Sequence, residues 1–392
     1  MCEDYDIIPI ESIEDMIRMR EKQLYLQRHD YKVWQGKSGK WFTYISEGGK
    51  RKLVKRNEQS GIEQYLYEFY KEKEENPTIE KIFYEWLHNK LDTSEITKPT
   101  RDHYICDFNR WIANTDFSKH KIKTITEEDI DILIRSIISE RQITAKQFSA
   151  IRTVLNGIFK YAKRKKYTSI SISTYFKDLD ISKRAFRSTP LQLEGAIFRT
   201  DEIKLLLDWL YSHPTIENLG IIFAFETGVR VGELSAVKFS DVKGDVLHIQ
   251  RQEIMYKSDE VGKAINEVVE YTKTEAGNRY IYLPKNSVNL LTCMRWTNKD
   301  SDFMMYKNGH RINKRMFHEY ITKACKGCGI PPRSMHKIRR TYATLLIDND
   351  VDDSLVMSQL GHTSIDTTRK YYYYANKDNE SKRKQIQNAI DF

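Results

Sequence analysis

The stretch "LGHTSIDTTRKYYYY", residues 360–374, ends in four consecutive tyrosines, the first of them nine residues after His362. A buried tyrosine needs a hydrogen-bond partner for its hydroxyl, so a run of four is costly in a dry core. The rings could serve packing, binding or chemistry. The choice depends on whether the rest of the chain supplies the groups that a reactive tyrosine requires.

One such group lies in "FETGVRVGELSAV", where Gly228 is expected to end one helix and Arg230 to begin the next. Glu233 follows one turn later and could hold the guanidinium in place. An arginine between apolar neighbours has two readings, a structural ion pair or an anion site. This stretch alone leaves both open.

Two further stretches carry cationic or imidazole side chains. In "SMHKIRRTYATLLI", His336 and Arg339 are three residues apart on a predicted helix and therefore share a face. In "YTKTEAGNRYIYLP", Lys273 precedes a turn between two strand-like runs, at the expected tip of a hairpin. Taken with Arg230 and His362, these residues could form an electropositive pocket for an anion.

The sequence gives little support to a metal site or a cofactor. It has no dense carboxylate cluster, no HExxH and no paired Cys/His set. "CKGC" places Cys325 and Cys328 at metal-pair spacing, but without a second pair we favour two buried thiols. We therefore predict anion chemistry performed by protein side chains, with no cofactor.

The length and composition indicate a multidomain protein that acts on a polyanion. A chain of 392 residues suggests two or three domains, and no apolar run is long enough to cross a bilayer. The N-terminus, "MCEDYDIIPIESIEDM", lacks a secretory signal, and five cysteines fit a reduced cytoplasmic protein. The net charge is +9.

The basic charge is concentrated near the N-terminus. Residues 31–57 carry six Lys and two Arg against one Glu, an excess of +7, which predicts a nucleic-acid surface. Glycine pairs between short aromatic runs predict a three-stranded antiparallel sheet, flanked by helices near 10–29 and 58–74. We expect a buried face of Trp34, Trp41, Phe42 and Tyr44 with Lys and Arg on the other face. The candidate DNA-binding residues here are Lys37, Lys40, Lys50, Arg51, Lys52, Lys55 and Arg56.

The rest of the chain predicts two further domains. Four amphipathic patterns between about 76 and 167 predict an all-α domain, with Thr126 and Thr144 as helix starts. Its last helix ends in "KYAKRKKY", which adds Lys163 and Arg164 as candidate DNA contacts. After a linker at 182–192, a mixed, mainly helical domain follows. The fold class is multidomain α+β, with domains at 1–75, 76–181 and 193–392.

The third domain resembles the catalytic domain of the tyrosine recombinase (phage integrase) family. The resemblance rests on Arg230 in "TGVRVGEL", the "HKIR" of His336 to Arg339, and "LGHTSIDTTRKY" up to Tyr371. Their order and spacing match the family's Arg…Lys…His-x-x-Arg…His…Tyr signature, and Lys273 matches its hairpin lysine. The order of the units resembles integrases of conjugative transposons, in which an arm-site-binding domain and a helical core-site-binding domain come first.

The resemblance implies a role for each residue of the signature. Arg230 and Arg339, helped by His336 and His362, would stabilise charge on a phosphodiester. A tyrosine would attack phosphorus and form a 3′-phosphotyrosyl intermediate that stores the bond energy, so that rejoining needs no ATP. The reaction would also need no metal. Lys273 would protonate the leaving 5′-oxygen, and His336 would take the tyrosine proton. Family spacing favours Tyr371 as the nucleophile, with Tyr372 as the alternative.

The resemblance also implies partners and alternatives. The partners would be double-stranded DNA at core and arm sites, a homotetramer on that DNA and an excisionase accessory protein. The protein would be cytoplasmic and nucleoid-associated, with no membrane partner. The alternatives are a chromosome-dimer resolvase of the same family, a catalytically inactive DNA-binding protein on the same fold, and a type IB topoisomerase.

Overall fold

The computed structural model describes residues 10–47, 49–188, 195–260 and 262–364, together with residue 387. The chain divides into two compact units, Met1–Thr189 and Pro190–Phe392. Among the described residues, no helix is both long enough and apolar enough to span a membrane. The predicted linker at 182–192 lies partly outside the described ranges, and the three predicted domain boundaries stay predictions.

The first unit begins with a helix, a small sheet and a second helix. These elements are α1 (Ile10–Gln27), β1 (Trp34–Gln35), β2 (Trp41–Glu47), β3 (Lys50–Arg56) and α2 (Gln59–Glu75). The sheet is antiparallel in the order β1-β2-β3, which confirms the prediction. Gly39 lies in the β1–β2 turn with φ of +76°, a conformation that glycine adopts without a steric penalty.

The prediction of the buried face of this sheet was wrong except at Trp41, which packs against the core. The buried strand residues are Thr43, Ile45 and Val54, and the last two cluster with apolar residues of α2. The aromatic residues Trp34 and Tyr44 are each 37% exposed and lie on the outer face. The face with the β-branched residues is buried because α2 covers it. Side chains alternate between the two faces along a strand, so the aromatic residues at the other positions point outward.

The remainder of the first unit is helical. Its elements are α3 (Ile79–Asp92), α4 (Lys98–Trp111), α5 (Asp116–Lys119), α6 (Glu127–Arg141), α7 (Ala145–Arg164) and α8 (Ile172–Asp178). The four predicted helices are α3, α4, α6 and α7. Thr126 and Thr144 cap α6 and α7 as predicted, each with a reciprocal side-chain bond from the third helical residue. Phe83 and Phe108 stack in the hydrophobic core, with ring centroids 4.0 Å apart.

The second unit mixes seven helices with short strands over its described residues. The helices are α9 (Thr200–Ser212), α10 (Ile216–Thr227), α11 (Val231–Leu234), α12 (Lys285–Thr297), α13 (Lys314–Gly327), α14 (Met335–Asp348) and α15 (Asp353–Leu360). The strands are β4 (Val242–Lys243), β5 (Val246–Ile249), β6 (Gln252–Lys257), β7 (Ala264–Val269), β8 (Arg279–Tyr282), β9 (Tyr306–Lys307) and β10 (His310–Arg311).

The strands form three small sheets, and one helix lies at the centre of the hydrophobic core. Almost every residue of α10 is buried, so this helix forms the middle of the hydrophobic core. The sheets have the orders β4-β5-β8, β6-β7 and β9-β10. The segment "DVLHIQRQE", residues 245–253, whose composition predicts a strand, contributes to two strands, β5 and β6.

Candidate active site

The turn between α10 and α11 places Arg230. Gly228 ends α10 with φ of +65°, and a Cβ at this position would lie 2.2 Å from the ring of Tyr342. Glycine is therefore required both by the left-handed backbone and by the close approach of the ring. Arg230 is the residue that caps the start of α11, as the sequence predicted.

Glu233 is the anchor of this turn. Its carboxylate accepts hydrogen bonds from the backbone N–H of Arg230 (2.9 Å) and from Arg230 Nη1 (2.8 Å). It also accepts from Arg279 Nη1 (3.0 Å) and Nη2 (2.9 Å). Burial by itself raises the pKa of Glu233, but the charge and hydrogen bonds of Arg279 outweigh this and hold the pKa at about 2. The carboxylate is therefore charged at neutral pH.

Arg339 joins the α10–α11 turn to the end of α15. Its side chain is 1% exposed, and its Nη1 donates to the carbonyl of Gly228 (2.7 Å). Its Nη2 donates to the carbonyl of Leu360 and also to Nε2 of His362, at a distance of 3.1 Å between the two nitrogens. A planar guanidinium can bridge several acceptors in fixed directions, so Arg339 fixes the position of His362 relative to Gly228.

The contact with Arg339 determines the tautomer of His362. A guanidinium can only donate, so Nε2 of His362 must be the acceptor and Nδ1 must carry the proton. Desolvation, followed by the positive charges of Arg339 and Arg230, lowers the pKa of His362 to about 3. The ring is therefore neutral at pH 7.

Four of the predicted residues are brought together at one place. Arg230 Nη2 donates to the carbonyl of Gly361 (3.2 Å), while Arg339 contacts Leu360 and His362 on either side of it. His336 lies one turn before Arg339 on α14, near enough for the charges of both arginines to act on its ring. The arginines thus meet around the segment that leads to the tyrosine run.

His336 is the solvent-facing member of the group. Desolvation by the surrounding protein, and then the charges of Arg340 and Arg339, lower its pKa to about 4. The residue is exposed, so solvent screens part of this effect. His336 is neutral at pH 7 and can accept a proton. His336 therefore adds no positive charge to Arg230 and Arg339 at pH 7.

Lys273 is not at the tip of a hairpin, so that part of the prediction was wrong. It lies in the connection from β7 to β8, and these strands pair with different partners in two separate sheets. The side chain is exposed and makes no hydrogen bond or ion pair with any residue in the described ranges. The short turn Glu275–Gly277 follows it and approaches Gly361. Tyr371 and Tyr372 lie outside the described residues.

Sequence reasoning missed Arg279 and Gln359. Arg279 is buried and forms an ion pair with Glu233 through two hydrogen bonds. Its Nε donates to the carbonyl of Gln359 (2.8 Å). One signal was present in the sequence. Arg279 and Ile281 are two residues apart in β8, so their side chains lie on the same, buried face of the strand. An arginine at an inward strand position indicates a buried ion pair.

The predicted DNA-binding residues do not share one face of the N-terminal sheet. Phe42 pairs with Lys55, and Ser46 with Arg51, so these two basic residues lie on the outer face with the aromatic rings. Arg51 lies 5.4 Å from the Tyr31 ring centroid, and Lys55 lies 6.0 Å from that of Phe42. The prediction that basic and aromatic residues occupy opposite faces was wrong. The remaining candidates lie elsewhere on the surface: Lys37, Lys40, Lys50, Lys52 and Arg56 around the sheet, and Lys163 and Arg164 at the end of α7.

The cysteine pair at the end of α13 has the character of packed thiols. Cys325 is buried and Cys328 is partly buried, and both are free thiols. Desolvation raises the pKa of each, which keeps the thiols protonated. No group of three or more His, Cys, Asp or Glu is arranged to hold a metal ion among the residues that the structure describes.

Comparison with known proteins agrees with this arrangement. Residues 197–379 match the sequence model of the Phage integrase family. The chain is 24% identical over 318 residues to a "Tyrosine recombinase XerC-like" protein of Caldanaerobacter subterraneus subsp. tengcongensis, which covers 75% of this chain and 78% of the relative. It is 25% identical over 280 residues to the ICEBs1 integrase of Bacillus subtilis, which covers 67% and 71%.

Solved structures show the same fold. The Tn1549 transposon integrase in complex with transposon right end DNA has a TM-score of 0.61 at 14% identity, over 80% of this chain and 99% of that one. A lambda integrase dimer bound to a COC′ core site has a TM-score of 0.54 at 16% identity, over 90% and 97%. The fold is therefore that of the tyrosine recombinases.

The family follows from the matched domain together with the relatives. Residues 197–379 carry a domain of the Phage integrase family, and the chain resembles tyrosine recombinases, among them the integrases of conjugative transposons. A domain of this family implies cleavage and rejoining of DNA.

Proposed function

We propose that this chain is a site-specific DNA integrase that integrates and excises a mobile element through a 3′-phosphotyrosyl intermediate. The observation that carries the proposal is the meeting of Arg230 and Arg339 on residues 360–362, the last of which is nine residues before Tyr371. Two preorganised guanidinium groups on separate helices suit the non-bridging oxygens of a phosphodiester, where charge gathers in the transition state.

The bond changes are those of two successive phosphoryl transfers. The hydroxyl oxygen of Tyr371 attacks phosphorus, and the bond from phosphorus to the 5′-oxygen breaks. Rejoining is the reverse reaction with a 5′-hydroxyl of the partner strand. The phosphotyrosyl bond keeps the energy of the phosphodiester, so rejoining needs no ATP, and Arg230 and Arg339 would serve at the phosphate in place of a metal ion.

The histidines and the lysine would divide the proton transfers. His336 is neutral at pH 7 and can take the proton of the tyrosine hydroxyl. His362 accepts from Arg339 through Nε2, which makes Nδ1 its donor toward the phosphate. Lys273, exposed on its connection, would give a proton to the leaving 5′-oxygen.

DNA would be held by the first unit as well as the second. The outer face of the N-terminal sheet, with Arg51 and Lys55 among aromatic rings, has the composition of an arm-site reader, and a major groove admits strands. Lys163 and Arg164 at the exposed end of α7 would contact core-site phosphates. The working assembly would be a homotetramer on DNA, assisted by an excisionase protein, in the cytoplasm and on the nucleoid.

A second candidate is a chromosome-dimer resolvase, because relatives of this chain are named XerC and XerD. The basic N-terminal sheet favours the integrase, since the resemblance associates this sheet with arm-site binding. Deleting residues 1–75 separates the two. A truncated integrase would still cleave a core site but would lose recombination that depends on arm sites. A resolvase would recombine without arm sites even as the full-length protein.

A suicide substrate, a labelled core site with a nick near the cleavage point, tests the chemistry. The wild type should form a covalent protein–DNA band in EDTA, and Tyr371→Phe should bind duplex DNA without forming that band. Tyr372→Phe is the matched control and should retain the band; the reverse result would move the nucleophile to Tyr372. Absence of a covalent band in the wild type would instead favour an inactive DNA-binding protein. Relaxation of supercoiled DNA without any exchange of strands between two DNA molecules would indicate a topoisomerase.

A further inference from the structure

The end of α15 is fastened to the open edge of a sheet by one glutamine side chain. Strand β8 lies at the edge of the sheet β4-β5-β8, so its outward backbone groups face α15. Gln359 is 4% exposed, and its Oε1 accepts from the backbone N–H of Tyr282 (3.2 Å). Its Nε2 donates to the carbonyl of Tyr280 (3.4 Å). The amide thus pairs with the edge of β8 in the way a neighbouring strand would.

Arg279 provides a second connection at the same place. Its Nε donates to the backbone carbonyl of Gln359 (2.8 Å), and its Nη1 donates to the carbonyl of Gly277 (3.0 Å). The same guanidinium pairs with Glu233, which holds Arg230. The end of α15 is therefore connected through hydrogen bonds to the turn that carries Arg230.

The chain has little freedom between this connection and His362. Only two residues separate Gln359 from His362. The second of them, Gly361, has φ of +60°, and a Cβ there would lie 2.6 Å from the carbonyl oxygen of Ala276. The position of Gln359 therefore determines the position of His362 closely.

We infer that Gln359 is a positioning residue of the proposed active site, which sets the register of α15 on β8 and thereby places His362 against Arg339. An aliphatic side chain could pack in the same space, but apolar packing has no direction and allows a helix end to slide or rotate. Two directional hydrogen bonds to a rigid strand edge remove that freedom. The inference rests on the proposed function for its effect on catalysis, but not for its effect on His362.

The first test replaces the amide by a group of similar size without strong hydrogen bonds. In Gln359→Met, the rate of covalent complex formation on the suicide substrate should fall by roughly tenfold to a hundredfold, as expected for a misplaced catalytic group. The dissociation constant for core-site DNA should change less than about twofold, because no phosphate contact is lost. The control is Leu355→Met, an exposed position on the same helix, which should keep the wild-type rate.

A double-mutant cycle shows whether Gln359 acts through His362. If it does, adding Gln359→Met to the His362→Ala variant should lower the rate of covalent complex formation by less than about twofold. The reason is that the group to be positioned is already absent. A general loss of packing would multiply the two effects. Rates are compared well below the melting temperature of each variant, which circular dichroism supplies. A wild-type rate in Gln359→Met, or fully multiplicative losses in the cycle, would overturn the inference.

A measurement independent of activity separates this inference from the proposed function. The side-chain NMR signals of His362 report its pKa in the free protein. In Gln359→Met the pKa should rise toward the ordinary value, because the ring leaves Arg339 and becomes hydrated. An unchanged titration would refute the positioning role even if the wild type cleaves DNA. A raised pKa together with an inactive wild type would leave the positioning role standing and refute the integrase proposal.

Discussion

Replacing Glu233 by glutamine isolates the contribution of the buried carboxylate. The change keeps the size and shape of the side chain but puts an NH₂ group where an oxygen now accepts from Arg230 and Arg279. Both partners are donors, so one set of hydrogen bonds is lost. The guanidinium of Arg279, which is almost fully buried, also loses its counter-charge.

The size of the effect follows from the electrostatics of the site. The pKa of Glu233 is lowered from 4.5 to about 2. At about 1.36 kcal/mol for each tenfold change in the ionisation constant, the folded state favours the charged carboxylate by about 3 kcal/mol. Removal of one partner from a buried ion pair typically costs about 3–5 kcal/mol, which agrees with this value. For a unit of this size, such a loss lowers the melting temperature by roughly 6–12 °C.

Urea unfolding of the wild type and of Glu233→Gln, followed at several pH values, measures the difference in the free energy of unfolding. Because the pKa is lowered on folding, the contribution of the carboxylate is fully present above about pH 4.5 and is lost as the pH falls toward 2. The difference between the two proteins should therefore be constant near neutrality and should shrink in acid. Glu319→Gln is the control: it removes an exposed ion pair with Arg315 and should cost less than about 0.5 kcal/mol.

Two results would refute this reasoning. One is a loss of stability below about 1 kcal/mol at pH 7, which would mean that the buried pair barely favours the folded state. The other is a difference between wild type and variant that does not change between pH 5 and 2.5, which would show that the ionisation of Glu233 is not its cause.

Three other variants test separate parts of the structure. Gly228→Ala should destabilise the second unit by about 3 kcal/mol, since a methyl group meets the Tyr342 ring at 2.2 Å in a left-handed backbone; thermal unfolding checks this. Arg51→Ala should weaken arm-site DNA binding and reduce the slope of its salt dependence by about 1, whereas Lys52→Ala on the other face should have a smaller effect; equal losses would argue against the outer face as the reader. The lowered pKa of His362 means that the unfolded chain binds more protons below about pH 6.5, so stability should fall from there toward pH 3, and His362→Gln should flatten that slope in acid unfolding experiments.

Local patterns determined the elements of the fold. The helices capped by Thr126 and Thr144, the turn at Gly228 and the three-stranded sheet follow from periodicity, capping residues and glycine positions. These signals arise between residues close in sequence, because capping and turn formation are governed by local backbone geometry. The order and spacing of the signature residues likewise sufficed to indicate the family.

The contacts that hold the site together depend on residues far apart in the chain. Arg279 pairs with Glu233 across 46 positions, and Arg230 reaches Gly361 across 131. Nothing in the spacing of these residues specifies which partner a buried charge finds, since the partner is chosen when separate elements pack. For the same reason, the sequence placed Lys273 on a hairpin although β7 and β8 belong to different sheets.

The buried face of the N-terminal sheet is the clearest case of a tertiary decision. Alternation along β2 defines two faces, one with Thr43 and Ile45 and one with Phe42 and Tyr44, and the sequence fits either as the inner face. Packing of α2 buries the first face and leaves the aromatic rings outside beside Arg51. The sequence alone determined the alternation, and the position of one helix decided which side meets solvent, because burial depends on what covers a face.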